Sequence, residues 1–333
     1  MSSSQQKTLD DFLELRSRNA VNHVIRAIVE IGVVESLRNG QKTSAQLADE
    51  LKLNPLVLNQ MLAVAEKTEL IERYGEDYAL SRIAKLIPRE FLDFGDNYWQ
   101  HLMFYARTGA PLPICEEVPI SDRDFTIEKA SEEWTTTPVA LTAAQVLGLG
   151  TQRTGMRILE IASGSGIFGV TLAHSDPESS LVLADEKVEL TRAEKTVQSV
   201  EISNRAKLVP VDNPIYIEPT QELQPGSFDL VILAGQIQRM TGGECQRIFQ
   251  VIEKLLDHQG EIALIDVFPG QESGDLARSI FDLELGMRTS RGRLHDPREL
   301  ETSLNETGFG QIQFAHLPVN PFYWGLILAS KIG

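Results

Sequence analysis

Residues 156–169 read MRILEIASGSGIFG, and this stretch decides the fold. The apolar run 156–162 is typical of a buried β-strand, and residues 167–175 are predicted to form a helix. Glycines between the two elements let the chain turn tightly and let a ligand approach the backbone. The stretch therefore predicts a strand, a glycine-rich loop and a helix, which together begin a ligand-binding α/β domain.

Six further β-like runs follow this stretch. They are SLVLAD (180–185), KLVPVD (207–212), FDLVILA (228–234), EIALIDVF (261–268), QIQFAHLPV (311–319) and FYWGLILASK (322–331). Nearly continuous apolar strands that alternate with helices indicate a parallel sheet covered on both faces. Only a few residues join the last two runs, which predicts an antiparallel pair. We therefore predict an α/β fold with a Rossmann-like, seven-stranded, mostly parallel sheet that ends in an antiparallel C-terminal hairpin.

The chain before the sheet has a different pattern. Apolar residues at helical spacing predict a helix over 19–37, ended by Asn39-Gly40, and two further helices start near Thr43 and Pro55. Two β-rich runs around Gly75 predict a hairpin. Three helices and a hairpin in this order make a winged helix. We predict a winged-helix domain over 1–100, a helical linker and pocket-covering region over 101–150, and a Rossmann-like domain over 151–333.

The charge distribution argues against DNA binding by the winged helix. The chain has 31 Lys and Arg against 47 Asp and Glu, a net charge of −16. The predicted recognition helix carries Val57, Leu58 and Met61 where base-reading helices carry Arg, Asn or Gln. Nucleic acid and anionic membranes are therefore disfavoured, and we expect neither as a partner. The module is expected to pack against protein, as a dimerisation and substrate-covering domain.

Neither the cysteines nor the N-terminus indicates export or a metal site. The two cysteines, Cys115 and Cys245, are too few for a disulfide framework or a zinc cage, so no metal is expected. The N-terminus lacks the pattern of a secretory signal, and no apolar run approaches the ~18 residues of a membrane span. We predict a cytoplasmic protein.

Three carboxylates lie at the tips of three successive predicted strands. Glu160 lies on the first strand, Asp185 ends the second and Asp212 ends the third. Such an acidic edge repels the pyrophosphate of a dinucleotide and attracts S-adenosylmethionine, which carries an ammonium, a sulfonium and no phosphate. Asp185 suits the two ribose hydroxyls, and Asp212 suits the exocyclic amine of adenine. In the alternative interpretation, each acid simply caps the helix that follows it.

The sequence resembles the class I S-adenosylmethionine-dependent methyltransferases, in particular the small-molecule O-methyltransferases with an N-terminal winged-helix dimerisation domain. The resemblance covers the chain from about Asn19 to its end, and its clearest stretches are 43–81, 159–170, 228–240, 261–269 and 298–309. It implies a homodimer and an acceptor such as a phenol, a polyketide or a quinone-like aromatic. The implied cofactor contacts are Glu160, Ala162, Gly164, Gly166, Asp185 and Asp212.

The sequence departs from this family at the place of the catalytic base. Many members have a histidine after the fourth strand, which removes the proton from the substrate hydroxyl; this chain has Gln238, followed by Arg239. Neither side chain is a base near neutral pH. An acid that supports the histidine in the family falls at Asp266, and His295 lies beside the place of a second. The candidate catalytic residues are therefore Gln238, Asp266 and His295.

Several functions stay open on these residues. Methyl transfer from a sulfonium depends largely on positioning, so an acidic phenol, an enolisable carbon or an amine could react without the histidine. O-methylation of a small aromatic acceptor is the leading prediction. The alternatives are C- or N-methylation, a catalytically degenerate cofactor-binding paralogue, an NAD-dependent oxidoreductase and a DNA-binding regulator. Phe281, Leu285 and Met287 are expected either to line the acceptor pocket or to form helix core.

Overall fold

The computed structural model describes residues 3–85, 96–111, 125–269, 276–289, 292–319 and 324–332. The chain divides into two compact units. The first contains Met1–Asn97 and Asp122–Ile127, and the second contains Tyr98–Ser121 and Glu128–Gly333. Most of the segment 101–150 thus groups with the second unit. The predicted three-part division, and the role predicted for each part, stay predictions.

The first unit consists of helices and a small sheet. Its elements are α1 (Ser3–Glu30), α2 (Val33–Arg38), β1 (Lys42–Thr43), α3 (Ser44–Glu50), α4 (Pro55–Lys67), β2 (Ile71–Tyr74), β3 (Asp77–Leu80) and α5 (Arg82–Lys85). β3 lies between β1 and β2 in an antiparallel sheet. Thr43 and Gln46 form a capping box that begins α3, and the Asn54 side chain caps α4. The predicted hairpin around Gly75 is confirmed.

The long helix predicted over 19–37 is wrong in its bounds. α1 begins sixteen residues earlier, at Ser3, and ends at Glu30, and α2 starts at Val33. The break lies at Gly32, whose φ of 86° is in the left-handed region that a helix interior does not allow. Ile28, Val33 and Val34 all enter the same core, so the apolar pattern continues through the break and conceals it.

The second unit begins with helices, and an α/β domain follows. The helices α6 (Asp96–Thr108) and α7 (Phe125–Leu147) lead into it. The strands are β4 (Arg157–Ile161), β5 (Ser180–Asp185), β6 (Ala206–Pro210), β7 (Phe228–Ala234), β8 (Leu256–Val267), β9 (Phe309–Leu317) and β10 (Trp324–Lys331). The helices between them are α8 (Ile167–Ser175), α9 (Lys187–Ser199), α10 (Gly242–Leu255), α11 (Leu276–Arg288) and α12 (Pro297–Glu306).

The seven strands form one sheet in the order β6-β5-β4-β7-β8-β10-β9. The first five strands of this order are parallel, and β10 is antiparallel to both β8 and β9. The predicted seven-stranded sheet with an antiparallel C-terminal hairpin is therefore confirmed. The chain order reverses direction at β4, between β5 and β7. At such a switch point, the loops after the strands diverge and leave a crevice for a ligand.

Burial explains why the central strands carry so few polar residues. Core side chains pack in two clusters, which share β4, β7 and β8, and strands covered on both faces need apolar residues at successive positions. The edge strands β6 and β9 carry exposed residues between buried ones. In the described part of the chain, no helix is long and apolar enough to cross a membrane.

Candidate functional site

The glycine-rich loop joins β4 to α8 at the switch point of the sheet. Its backbone has positive φ at Ala162 (56°), Gly164 (54°) and Gly166 (73°). A Cβ on Gly166 would lie 3.0 Å from Leu183 Cδ1, so this glycine permits close packing against β5. A Cβ on Gly164 would meet no atom within 4 Å, so the loop is open at that point. The predicted strand, loop and helix are thus present, with open space beside Gly164.

Two buried carboxylates hold this loop. Glu160 and Asp185 are only 1% and 4% exposed. Glu160 accepts the Gly169 N–H (2.8 Å), and Asp185 accepts the N–H groups of Gly164 (2.7 Å) and Glu186 (2.7 Å). Burial raises the pKa of Asp185 above its usual value, and the two N–H donors oppose this rise. Asp185 thus fixes the backbone at the open space and Glu160 fixes the first turn of α8, so both sides of the loop are organised before any ligand arrives.

Asp212, the third predicted acid, is in a different environment. It is exposed, two residues beyond the end of β6. The helix-capping alternative applies to Glu160, whose partner Gly169 lies in the first turn of α8. Glu186 is the N-cap of α9, and Asn213, not Asp212, caps the 3₁₀ turn Pro214–Tyr216. Helix capping therefore accounts for only one of the three acids.

A 3₁₀ turn, Ile237–Arg239, follows β7 and carries Gln238. Gln238 is 9% exposed. Its side-chain Nε2 donates to the Gly235 carbonyl (3.3 Å), while its Oε1 is buried and has no hydrogen-bond partner among the described residues. A buried acceptor without a partner costs about 1–3 kcal/mol. The turn thus places an unsatisfied amide oxygen directly after β7.

Asp266, near the end of β8, supports this turn from the sheet. Its Oδ2 accepts the backbone N–H of Gln238 (3.3 Å), and its Oδ1 accepts that of Val267 (2.8 Å). The residue is 1% exposed, and burial raises the pKa of its carboxyl to about 7. Asp266 therefore positions the backbone of residue 238, and no hydrogen bond joins it to the side-chain amide of Gln238 in the described structure.

The raised pKa of Asp266 gives a testable pH dependence. The folded chain holds the Asp266 proton more tightly than the unfolded chain, whose carboxyl has the usual pKa of 3.8. The free energy of unfolding, relative to an Asp266→Asn variant, is therefore expected to fall as the pH rises from about 4 to about 7. We expect a change of about 3 kcal/mol between about pH 5 and pH 8, measured by urea unfolding of both proteins. If the difference in the free energy of unfolding between the two proteins stays constant over this range, the pKa of Asp266 is not raised in the folded chain.

His295 contacts the same turn from the loop before α12. Its ring is 2% exposed, and its Nε2 donates to the Met240 carbonyl (2.9 Å). Burial lowers the pKa of His295, so the ring is neutral at pH 7. Gln238, Asp266 and His295 thus lie around one turn, and their catalytic role stays a prediction. In the described structure, neither Asp266 nor His295 bonds to the Gln238 side chain.

A cavity of about 290 Å³ lies between this turn and α11. Its lining residues are Gln238, Arg239, Phe281, Glu284, Leu285 and Thr289. Of the three pocket residues predicted from the sequence, Phe281 and Leu285 line this cavity, whereas Met287 is fully buried and is not among the lining residues. The prediction missed Glu284 and Thr289. Glu284 follows Phe281 by three residues on a helix, so the spacing of one helical face could have identified it.

Residues 135–323 match the profile of the family described as Protein of unknown function (DUF938). No curated protein matches the sequence.

Solved structures show the fold. An O-methyltransferase family protein of Burkholderia thailandensis is 13% identical, with a TM-score of 0.75 over 98% of both chains. Human N-acetylserotonin methyltransferase in complex with SAM is 17% identical, with a TM-score of 0.72 over 100% of both chains. A demethyl-riboflavin dimethyltransferase of Streptomyces davawensis is 18% identical, with a TM-score of 0.72 over 99% of this chain and 100% of that one. The resemblance to class I methyltransferases is confirmed for the fold.

Proposed function

We propose that this chain, which belongs to the family described as protein of unknown function (DUF938), is an S-adenosylmethionine-dependent methyltransferase of a small molecule. The observation that carries the proposal is the buried pair Glu160 and Asp185, which lies at the glycine-rich loop. Carboxylates there favour a cationic adenosine derivative over a phosphate-bearing one. The methyltransferases that share the fold, one of them solved with SAM, support this choice.

The loop residues fit such a cofactor. The Ser163 hydroxyl is buried and has no hydrogen-bond partner among the described residues, so it can pair with a polar group of a ligand. We expect Asp185 to hold the ribose hydroxyls, Glu160 to attract the ammonium end and Asp212 to accept from the adenine amine. Ala162, Gly164 and Gly166 would present backbone to the cofactor. When bound, S-adenosylmethionine supplies an activated methyl group.

The cavity beside Gln238 is the proposed acceptor site. Phe281 and Leu285 supply apolar wall that excludes water, and Gln238 offers a carbonyl oxygen that can accept from a hydroxyl or amine. Asp266 and His295 hold the turn that carries Gln238. We therefore propose that Gln238 positions the acceptor and that Asp266 and His295 position Gln238, because none of the contacts of these three residues equips them to abstract a proton from the acceptor.

O-methylation is our leading proposal. Because Gln238 is not a base, N-methylation and C-methylation are kept as alternatives. An amine or an enolisable carbon needs no strong base, so N- or C-methylation suits a site with an amide at this place. A paralogue that binds the cofactor without transferring its methyl group is the third candidate. The Streptomyces protein that shares the fold is named as a dimethyltransferase of an amino-riboflavin, which supports the N-methylation alternative.

A transfer assay separates these candidates. The full-length chain is incubated with methyl-labelled S-adenosylmethionine and a panel of acidic phenols, weakly acidic phenols and aromatic amines. We expect label in the acidic phenols and little in the weakly acidic ones, because the site lacks a base. Label in amines alone would replace O- by N-methylation. Tight cofactor binding without label in any acceptor would identify a degenerate paralogue.

We also propose a cytoplasmic homodimer formed through the first unit. α1 carries a row of exposed apolar side chains, Leu9, Phe12, Leu13 and Leu15, and Leu56 on α4 is 70% exposed. A soluble monomer rarely exposes so many apolar side chains together, and a second copy would cover them. The same exposed residues on α4 disfavour a nucleic-acid partner. Sedimentation equilibrium of the full chain should give twice the monomer mass; the monomer mass alone would contradict the proposal.

A further inference from the structure

We infer that the methyl acceptor binds as an anion that pairs with Arg239; this inference rests on the proposed function of the cavity. Arg239 follows Gln238 on the 3₁₀ turn, is exposed and lines the cavity. Its guanidinium forms no ion pair with any residue in the described part of the chain, whereas Arg157 pairs with Asp229 and Arg247 pairs with Glu218. An unpaired guanidinium in a cavity wall is a binding site for a carboxylate or a phenolate.

The other charged groups near the cavity do not neutralise this cation. Glu284 also lines the cavity, but it already interacts with another group. Asp266 interacts electrostatically with Arg239 from behind the turn, but burial raises the pKa of its carboxyl to about 7, so its neutral form is favoured below that pH. Arg293, whose backbone bonds to Gln238, is paired with Glu299 (2.8 Å). Arg239 is therefore the cation available to an acceptor.

Because the chain has a negative net charge, the binding of an anionic ligand depends on a positively charged group in the binding site. A protein with a net charge of −16 repels small anions over most of its surface. A guanidinium in the cavity wall reverses this repulsion over the short range in which binding occurs. The acids at the proposed cofactor site, Glu160 and Asp185, would then favour a cationic cofactor, and Arg239 in the cavity would favour an anionic acceptor.

An anionic acceptor also explains why Gln238 can stand where related enzymes have a base. A phenolate oxygen already has the electron pair that forms the new O–CH₃ bond. As that bond forms, the S–CH₃ bond breaks, its electron pair returns to sulfur, and the two opposite charges disappear. No proton is transferred in this step, so no base is required. If the anion is a carboxylate elsewhere on the acceptor, Arg239 instead orients the molecule.

Calorimetry with matched probes tests the inference. The full-length chain, first shown to bind S-adenosylhomocysteine, is titrated with 4-hydroxybenzoate and with its uncharged counterpart 4-hydroxybenzamide. A third titration uses 4-nitrophenol at a pH below and a pH above its ionisation. The variants are Arg239→Gln, Arg239→Lys, and Arg298→Gln as a control that removes the same charge from an exposed site on α12, away from the cavity lining.

We expect the anions to bind the wild type more tightly than their neutral forms. Arg239→Gln should weaken anion binding about tenfold, as expected for one charge-assisted hydrogen bond, and leave the neutral forms unchanged. Arg239→Lys should retain most of the affinity, and Arg298→Gln all of it. Preference for hydroxybenzoate indicates a carboxylate on the acceptor, and preference for ionised nitrophenol indicates a phenolate.

Two results would overturn the inference. One is equal binding, or no binding, of the charged and neutral probes by the wild type. The other is an Arg239→Gln variant that loses affinity for the charged and the neutral probes to the same extent. Failure of the proposed function is distinguishable from either, because it appears as an absence of S-adenosylhomocysteine binding in the first titration, before any acceptor probe is added.

Discussion

Replacing Asp185 with alanine is expected to weaken the binding of S-adenosylmethionine on the order of 10²-fold, the loss of two charge-assisted hydrogen bonds to the ribose hydroxyls. The substitution also removes the acceptor of the Gly164 N–H, which holds the glycine-rich loop. The dissociation constant is measured by calorimetry on folded protein. Both consequences act in the same direction, so this is the largest effect on binding that we predict.

Glu160→Gln and Asp212→Asn are the companion variants of Asp185→Ala. The glutamine oxygen can still accept the Gly169 N–H, so Glu160→Gln tests the negative charge while the backbone contact remains. We expect a weaker but clear loss of affinity from it, about tenfold. Asp212 is exposed to water, which screens its charge, so Asp212→Asn should have the smallest effect. Unchanged affinity in both Asp185→Ala and Glu160→Gln would contradict the proposed cofactor site.

Gly169→Ala is expected to lower the free energy of unfolding by about 3 kcal/mol, at the upper end of the cost of overpacking a core. A Cβ at this position would lie 2.6 Å from Glu160 Oε2 and 2.9 Å from Leu181 Cδ1. Glu160 is almost completely buried, so its carboxylate can move only by leaving the Gly169 N–H. The stability is measured by urea unfolding followed by circular dichroism.

Gly243→Ala is the matched control for Gly169→Ala. Gly243 also lies near the start of a helix, α10, and a Cβ there would meet nothing within 4 Å. Alanine favours a helix over glycine by about 1 kcal/mol, so this variant should be as stable as the wild type or more so. If the two variants have equal stability, the close contact between α8 and Glu160 does not constrain the protein.

The sheet could be predicted from sequence because its strands are buried on both faces. Leu159, Leu183 and Ile232 are buried and belong to nearly continuous apolar runs. Such runs are typical of strands covered on both faces, whereas a helix with one exposed face has polar residues between its apolar ones. The position of β10 between β8 and β9 was not predicted, since strand order depends on pairings between distant segments. The break at Gly32 was missed because both helices pack their apolar residues into one core.

The part of the candidate site that lies at strand ends and in the glycine-rich loop could be predicted from the sequence. Glu160 and Asp185 could be named because they are acids near the ends of apolar runs, and both contact the backbone at or next to the glycine-rich loop. The role of His295 could not be inferred, because its contact with the Met240 carbonyl joins residues that are 55 positions apart. Arg239 was visible in the sequence, but its lack of an ion pair can be recognised only once its neighbours are known.

The central claim is that the crevice after β4 and β5 binds a cationic adenosine derivative without phosphates. Isothermal titration of the full-length chain with S-adenosylmethionine and, separately, with NAD⁺ tests it most directly. We predict saturable heat for S-adenosylmethionine at one site per chain and none for NAD⁺. Binding of NAD⁺ alone would contradict the claim and favour an oxidoreductase in its place.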